Sequence, residues 1–136
     1  MKTVYLISCV KKKCGLQVPA EHLYCSDWFK KARAYVLRKI AAGDKWYILS
    51  AKHGLLAPDE HVGPYNETLT NMKKAKRQAW TRQIMGDISQ VLAPGDTVVL
   101  LAGQKYREFL EIDLHSLGCR VSVPMRGMGI GKQQMA

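Results

Sequence analysis

The sequence lacks the features of a membrane-spanning, secreted or metal-binding protein. It has no apolar run near the ~20 residues that a membrane-spanning helix needs, and no signal peptide precedes its first residues. Its four cysteines include no CxxC pair, and no histidine stands at zinc-finger spacing from them. We therefore expect a cytoplasmic protein with reduced thiols and with no metal, cofactor or membrane contact.

A loop for binding nucleoside triphosphates is also missing. The glycines near the end of the chain, Gly127, Gly129 and Gly131, are followed by Lys132. A phosphate-binding loop would need Ser or Thr directly after that lysine and a different glycine spacing. The segment is instead typical of the start of a final helix that is short or cut off.

Acidic residues are few in this sequence. Its 21 Lys and Arg outnumber 11 Asp and Glu, which gives a formal net charge of +10. So large a positive charge on a small domain attracts polyanions. The basic segments lack the strongly apolar opposing stripe of a helix that lies on a membrane. We therefore expect DNA, or else RNA or a nucleotide, as the partner; the alternative is a basic surface that is simply solvated.

Four short apolar runs alternate with amphipathic helices along the chain. The predicted strands cover residues 3–8, 46–49, 96–101 and 119–123, and the predicted helices cover 27–42, 71–92, which Thr70 caps, and 104–117. The apolar residues predicted to face the core are Phe29, Ala32, Val36 and Ile40 in the first helix, Trp80, Ile84, Ile88 and Val91 in the second, and Phe109, Leu110 and Leu114 in the third. This alternation predicts one α/β domain over residues 1–136, a three-layer α/β/α sandwich. Right-handed connections with helices on both faces favour a four-stranded, mainly parallel sheet in the order 2-1-3-4.

Polar residues follow each of the first three predicted strands. Lys11 and Lys13 follow the first strand, Lys52 and His53 the second, and Gln104 the third. The carboxyl ends of parallel strands meet at one edge of the sheet, where ligands bind in open α/β folds. The connection over residues 57–71 is long enough to be a binding loop or lid. We therefore expect the functional site at this edge.

Six motifs carry a resemblance to a known family. They are Ser8-Cys9-Val10-Lys11-Lys12-Lys13, Leu23-Tyr24-Cys25-Ser26-Asp27-Trp28-Phe29, Ser50-Ala51-Lys52-His53-Gly54-Leu55-Leu56, Pro64-Tyr65-Asn66-Glu67-Thr68-Leu69, Gly103-Gln104-Lys105-Tyr106-Arg107 and residues 124–133. With these motifs the chain resembles a family of small bacterial and phage α/β proteins, a domain of unknown function. It is similar to the YaaA group and, more remotely, to uracil-DNA glycosylases. The resemblance implies a uracil-DNA-glycosylase-like fold and, because some relatives are implicated in excising modified bases from phage DNA, a role in phage defence.

Breaking an N-glycosidic bond needs a carboxylate beside the developing sugar cation and a donor beside the departing base. The candidate catalytic residues are Lys52, His53, Asp59, Asn66 and Glu67. The candidate residues for holding nucleic acid or a base are Ser8, Cys9, Lys11, Lys13, Tyr24, Ser26, Ser50, Gly54, Tyr65, Gly103, Gln104, Tyr106, Arg107 and Arg126. We expect His53 or Lys52 to donate to the base, Asp59 or Glu67 to act on the sugar side, and Tyr65 to stack.

Two departures from the family pattern bear on this hypothesis. Relatives often carry Pro-Tyr-Asp where this chain reads Pro64-Tyr65-Asn66, so Glu67 or Asp59 would have to replace that aspartate. Relatives also continue into a helix beyond Gln133. Two other functions therefore stay open: a module that binds nucleic acid without cleaving it, and an enzyme that acts on free nucleotides. In the simplest alternative, His53 is structural and the candidate carboxylates only face solvent.

Overall fold

The computed structural model of the protein describes residues 1–8, 18–19, 27–62 and 72–124. The strands in these ranges are β1 (Thr3–Ser8), β2 (Val18–Pro19), β3 (Lys45–Ser50), β4 (Gly54–Leu56), β5 (His61–Val62), β6 (Thr97–Leu101) and β7 (Arg120–Ser122). The helices are α1 (Asp27–Lys39), α2 (Lys74–Ile88), α3 (Gln104–Arg107) and α4 (Leu110–Ser116).

Five of the strands form one mixed sheet in the order β4-β3-β1-β6-β7. The strands β3, β1, β6 and β7 are parallel neighbours, and β4 pairs antiparallel with β3. The predicted sheet had four strands, so its order differs from the observed one by the added edge strand; the parallel strands keep the relative positions expected for them. The α/β class is confirmed, and no described feature tests the finer likeness to uracil-DNA glycosylases.

The edge strand β4 was missed because it is only three residues long. The chain reverses directly after Ser50, and Gly54 enters the new strand with φ of +74°, a conformation that favours glycine. The short antiparallel pair of β2 with β5 was missed for the same reason, since each strand has two residues. Periodicity cannot identify strands of this length.

The inner strands of the sheet are covered on both faces. In β1 every side chain from Val4 to Ser8 is buried, and in β6 so is every one from Val98 to Leu101. Because successive side chains of a strand point to opposite faces, helices or loops must cover both. The helix α1 packs against β1, whereas α2 packs against β4 and α4.

The predicted helices are present with shorter or divided bounds. Phe29, Ala32 and Val36 of α1 are fully buried as predicted, and so are Ile84 and Ile88 of α2. The third predicted helix is divided into two, α3 with the buried Tyr106 and α4 with the buried Leu110 and Leu114. The predicted cap of α2 at Thr70 lies outside the described residues; Lys73 occupies the cap position there without a side-chain hydrogen bond.

Two aspartate carboxylates join separate segments of the chain at the amino edge of the sheet, where the parallel strands begin. Asp96 accepts hydrogen bonds from the backbone N–H of Lys2 at 3.2 Å, from Lys2 Nζ at 2.7 Å and from the backbone N–H of Ala93 at 2.9 Å. Asp44 accepts from the backbone N–H groups of Thr3 at 2.9 Å and Ala41 at 3.0 Å. The hydrogen bond from the Lys2 side chain is the main reason why the pKa of Asp96 is lowered to about 2.

Candidate nucleic-acid interface

The turn between β3 and β4 presents two of the predicted catalytic side chains to solvent. Ser50 is fully buried, and its Oγ accepts hydrogen bonds from the backbone N–H groups of Lys52 at 3.3 Å and His53 at 3.0 Å. The carbonyl of Ser50 accepts a bond from Trp80 Nε1 at 2.8 Å. The hydrogen bonds of the Ser50 hydroxyl and of the Trp80 indole therefore fix the backbone of the turn, while the Lys52 and His53 side chains are exposed.

Ser50 and Gly54 were predicted to hold nucleic acid or a base, and their surroundings show what they do for the backbone of the turn. A Cβ atom on Gly54 would lie 2.9 Å from Gln83 Nε2, and φ at Gly54 is +74°. Ser50 is turned inward to bind the backbone of its own turn. Both residues shape the turn that carries Lys52 and His53.

The start of α2 extends the basic surface beyond the strand ends. Trp80 lies level with Ser50, the last residue of β3, because the two are hydrogen bonded. Lys74 precedes Trp80 by six residues, or about 9 Å along a helix axis. Lys73, Lys74 and Lys76 are all exposed, and the first turn of α2 contains no acidic residue.

Helix geometry divides these lysines between two sides of α2. Lys76 is one turn before Trp80 and therefore on the side of the β3–β4 turn, whereas Lys74 is one turn before Gln78 and on the side of α4. We give the name lysine rim to four exposed lysines in the β3–β4 turn and at the start of α2. They are Lys52, Lys73, Lys74 and Lys76.

The residues after β6 support the rim and add one more exposed lysine, Lys105, to this edge. Gly103 caps α3 and is partly exposed, and Gln104 is exposed. Tyr106 is 5% exposed, and its ring meets the Trp80 ring edge to face with 5.6 Å between centroids. Because the Tyr106 ring is buried, a base could not stack on it. The ring instead packs against the Trp80 indole, which is hydrogen bonded to Ser50.

The two arginines nearest this edge have carboxylate partners. Arg77 Nε bonds Glu108 Oε1 at 2.6 Å, and Arg77 Nη1 donates to the carbonyl of Met72 at 2.6 Å. Arg107 Nη1 bonds Glu111 Oε2 at 3.2 Å, and the Arg107 side chain is 13% exposed. A phosphate at Arg107, as predicted, would have to compete with Glu111.

Asp59 lies away from His53 along the edge strand. Gly54 pairs with Ser50 and Leu56 with Ile48, so β4 leads back from the strand ends. The distance from Gly54 to Leu56 alone is about 7 Å at strand rise, and Asp59 is exposed in the turn that follows. The described structure therefore does not bring Asp59 beside His53.

The remaining predicted site residues have these positions. Ser8 is buried at the end of β1, where it pairs with Leu49 of β3. Outside the described residues lie Cys9, Lys11, Lys13, Tyr24, Ser26, Tyr65, Asn66, Glu67 and Arg126.

A groove between α2 and α4 was not anticipated from the sequence. Its volume is about 330 Å³, and it is lined by Gln78, Thr81, Arg82, Phe109 and Asp113. Phe109 was predicted to be a core residue, but it is partly exposed, whereas Leu110 and Leu114 of α4 are fully buried. The spacing of four between Gln78 and Arg82, and between Phe109 and Asp113, was the available signal.

The described residues contain neither a metal-binding cluster nor a membrane-spanning helix. In the part of the chain that the structure describes, no group of three or more His, Cys, Asp or Glu side chains could hold a metal ion. None of the helices described here has both the length and the apolar character needed to cross a bilayer.

Comparison with known proteins assigns the chain to a family. The model described as "Family of unknown function (DUF6884)" matches residues 4–136. The chain belongs to this family. This DUF6884 chain is similar to the "Uncharacterized protein YfjM" of Bacillus subtilis (strain 168). The two are 32% identical over 124 residues, which cover 81% of this chain and 75% of YfjM.

These findings confirm that the chain is a domain of unknown function, and neither match carries an activity or a substrate. No solved structure matches the chain. The comparisons give no link between this DUF6884 member and the YaaA group or the uracil-DNA glycosylases.

Proposed function

We propose that this DUF6884 protein binds DNA at the lysine rim and hydrolyses the N-glycosidic bond of a modified base beside His53. The observation that carries the proposal is the rim itself. Within the described ranges none of Lys52, Lys73, Lys74 and Lys76 forms an ion pair, and all four are exposed. Positive charges without internal partners at one edge suit a polyanionic backbone.

The position of these lysines on α2 strengthens the argument. Three of the four stand in or next to the first turn of α2, where the helix macrodipole is positive. Cations at that end are unfavourable for the isolated protein, whereas phosphate groups are favourable there. A bound phosphate backbone would offset both the lysine charges and the helix dipole.

The proposed reaction breaks the bond between the base nitrogen and C1′ of the sugar. The electron pair of that bond leaves with the base, which takes up one proton. A water oxygen adds to C1′ and loses one proton to the sugar-side carboxylate, so the step balances. His53 is the donor to the base in this proposal, because it is exposed beside the rim on a turn held by Ser50. Lys52 contributes positive charge to the same turn.

The sugar-side carboxylate is assigned to Glu67, with Asn66 and Tyr65 as the adjoining groups of the same motif. Asp59 is the weaker candidate, because β4 carries it away from His53. In a duplex the target nucleotide would have to leave the base stack to reach such a site. The excised base would be a modified one, as in the proposed role in phage defence.

Binding is tested by two triple variants that remove the same charge from opposite edges of the sheet. The rim variant combines Lys73→Gln, Lys74→Gln and Lys76→Gln, and the control combines Arg38→Gln, Lys45→Gln and Arg120→Gln, all exposed positions. Fluorescence anisotropy with labelled DNA over a salt series should show weaker binding and a salt slope smaller by about 2 to 3 for the rim variant. Equal losses in both variants would contradict a site at the rim.

Catalysis is tested by incubating the protein with DNAs that carry different modified bases and assaying free base and abasic sites. The wild type should produce both from a suitable DNA, and His53→Ala should lose product by about a hundredfold or more while keeping its DNA affinity. Glu67→Gln should lose product in the same way, and Asp59→Asn should retain most of it.

A module that binds DNA without cleaving it is the second candidate. The observation that favours it is the distance of Asp59 from His53 together with the burial of Tyr106. Neither of these two predicted site residues therefore offers a carboxylate or an aromatic face to a base at His53. Salt-sensitive binding with no abasic sites from any modified DNA would select this function. An enzyme acting on free nucleotides would instead show a weak salt slope and no preference for polymer.

A further inference from the structure

The groove between α2 and α4 has the chemistry of a base-binding site separate from His53. Its walls combine one aromatic ring, Phe109, with a guanidinium, Arg82, a carboxylate, Asp113, and an amide, Gln78. Its volume of about 330 Å³ lies at the lower end of the range for small-ligand pockets. An aromatic ring with a few convergent polar groups is the usual setting for an unpaired base.

The polar groups of the groove are available to a ligand. Arg82, Asp113 and Gln78 have no side-chain partner within the described residues. Thr81 is different, because its Oγ1 donates to the carbonyl of Arg77 at 3.0 Å. Three unengaged polar side chains around a partly exposed phenyl ring are an arrangement that a bound molecule would satisfy.

The charges of the groove favour a base over a phosphate. The negative charge of Asp113 offsets the positive charge of Arg82, so the groove has no net attraction for an anion. A carboxylate accepts hydrogen bonds, whereas a guanidinium and an amide N–H₂ donate them. Guanine matches this set, because its N1–H and N2–H₂ donors are adjacent and its O6 and N7 acceptors suit arginine.

The groove is also placed within reach of a strand at the lysine rim. Lys74 is one helical turn from Gln78 on the same side of α2, about 6 Å along the axis. His53 lies on the opposite side of this helix, on the turn held by Trp80. A strand that crosses the start of α2 therefore has the rim beneath its phosphates, His53 on one side and the groove on the other.

We propose that this groove binds an unpaired guanine of the strand held at the rim, stacked on Phe109 and hydrogen bonded to Asp113. The guanine is a neighbour of the reacting nucleotide and not the base that is removed. The inference rests on the proposed DNA binding and adds to it a preference for an unpaired strand that contains guanine.

The test compares thymidine 12-mers that carry one central dG, dI or dT, since inosine lacks only the N2 amino group of guanine. Anisotropy should rank them dG, dI and dT for the wild type, with dG about tenfold tighter than dI. Asp113→Asn should remove the difference between dG and dI, and Phe109→Leu should weaken the dG oligonucleotide about tenfold. The matched control is Asp87→Asn, the same charge change at an exposed α2 position outside the groove, and thermal unfolding checks that each variant is folded.

The outcomes separate this inference from the proposed function. Equal affinities for dG, dI and dT in the wild type, or a dG preference that survives in Asp113→Asn, would overturn the guanine site while rim-dependent binding could still hold. A dG preference that needs Asp113, together with an overall affinity that is the same in the wild type and the rim variant, would support the groove and overturn the rim. Absence of binding to any oligonucleotide would overturn both.

Discussion

At the amino edge of the sheet, Asp44 and Asp96 are bonded to backbone N–H groups and to Lys2, whereas at the carboxyl edge the lysine rim faces solvent. The first arrangement joins separate segments of the chain, since Asp96 connects Lys2 with Ala93. The lysines of the rim form no ion pair with any part of the described chain. The contrast teaches that the two aspartates of the amino edge serve stability, whereas the lysine rim supplies the charges that the proposed DNA binding would use.

The largest effect on stability is expected at Asp96. Asp96→Ala leaves the Lys2 and Ala93 donors of a 3%-exposed site without an acceptor, and we expect a loss of about 3 kcal/mol in the free energy of unfolding. Urea denaturation at pH 7 measures it. A loss below about 0.5 kcal/mol would break the comparison, because the amino edge would then not depend on its carboxylate.

The contribution of Asp96 should also depend on pH. Its pKa is about 2 in the folded protein, against 3.8 as the ordinary value. A carboxylate with a lowered folded pKa stabilises fully above its unfolded pKa, and its contribution falls as the pH drops from about 4 toward 2. The difference between wild type and Asp96→Ala should therefore shrink over that range in the same denaturation experiment.

A second loss is expected where the core supports the carboxyl edge. Trp80→Phe keeps a ring but removes the donor to the buried carbonyl of Ser50, which should cost about 2 kcal/mol. The turn that carries His53 should loosen as well, seen as faster amide hydrogen exchange at residues 51–54. Unchanged exchange there would show that the indole bond does not hold the turn.

A smaller loss is expected at Gly54. Gly54→Ala places a Cβ 2.9 Å from the Gln83 side chain and asks Ala to adopt φ of +74°, at a cost of about 1–2 kcal/mol. Gly43→Ala is a matched control, because φ there is +89° and no atom lies within 4 Å of the added Cβ. A thermal unfolding midpoint lower for Gly54→Ala than for Gly43→Ala would isolate the contact with Gln83.

The smallest effect on stability, and one of opposite sign, is expected at the rim. Replacing Lys73, Lys74 and Lys76 by Gln removes cations from the positive end of α2 and should stabilise the protein by about 0.5 kcal/mol. The control triple variant includes Arg38, in the last turn of α1, where a cation is favourable, so it should be neutral or slightly destabilising. Denaturation midpoints that move together would remove the distinction between the two edges.

Local pattern was sufficient for the larger elements and for the class of the fold. The apolar runs that became β1, β3 and β6 and the spaced core residues of α1 and α2 were recognised because each element has its own periodicity. The convergence of Lys52, His53 and Gln104 on one edge followed from parallel strands. None of these inferences needed a contact between distant residues.

Other features depend on groups brought together from far apart in the chain. The strand β4 needs its partner β3 and the reversal at Gly54, and the separation of Asp59 from His53 follows from that register. Tyr106 was a candidate for holding nucleic acid or a base because it belongs to one of the motifs that carry the resemblance, but Trp80, 26 residues earlier, packs against its ring.

The composition, the alternation of strands with helices and the excess of lysine are properties of the linear chain, and they indicated a basic α/β domain before any fold was known. Which charges are neutralised is a property of the folded chain alone. Arg77 meets Glu108 across 31 positions and Lys2 meets Asp96 across 94, while the lysines of the rim meet no carboxylate within the described residues. Ion pairs act over a few ångströms, so folding alone selects which of the 21 basic residues are paired and which face solvent.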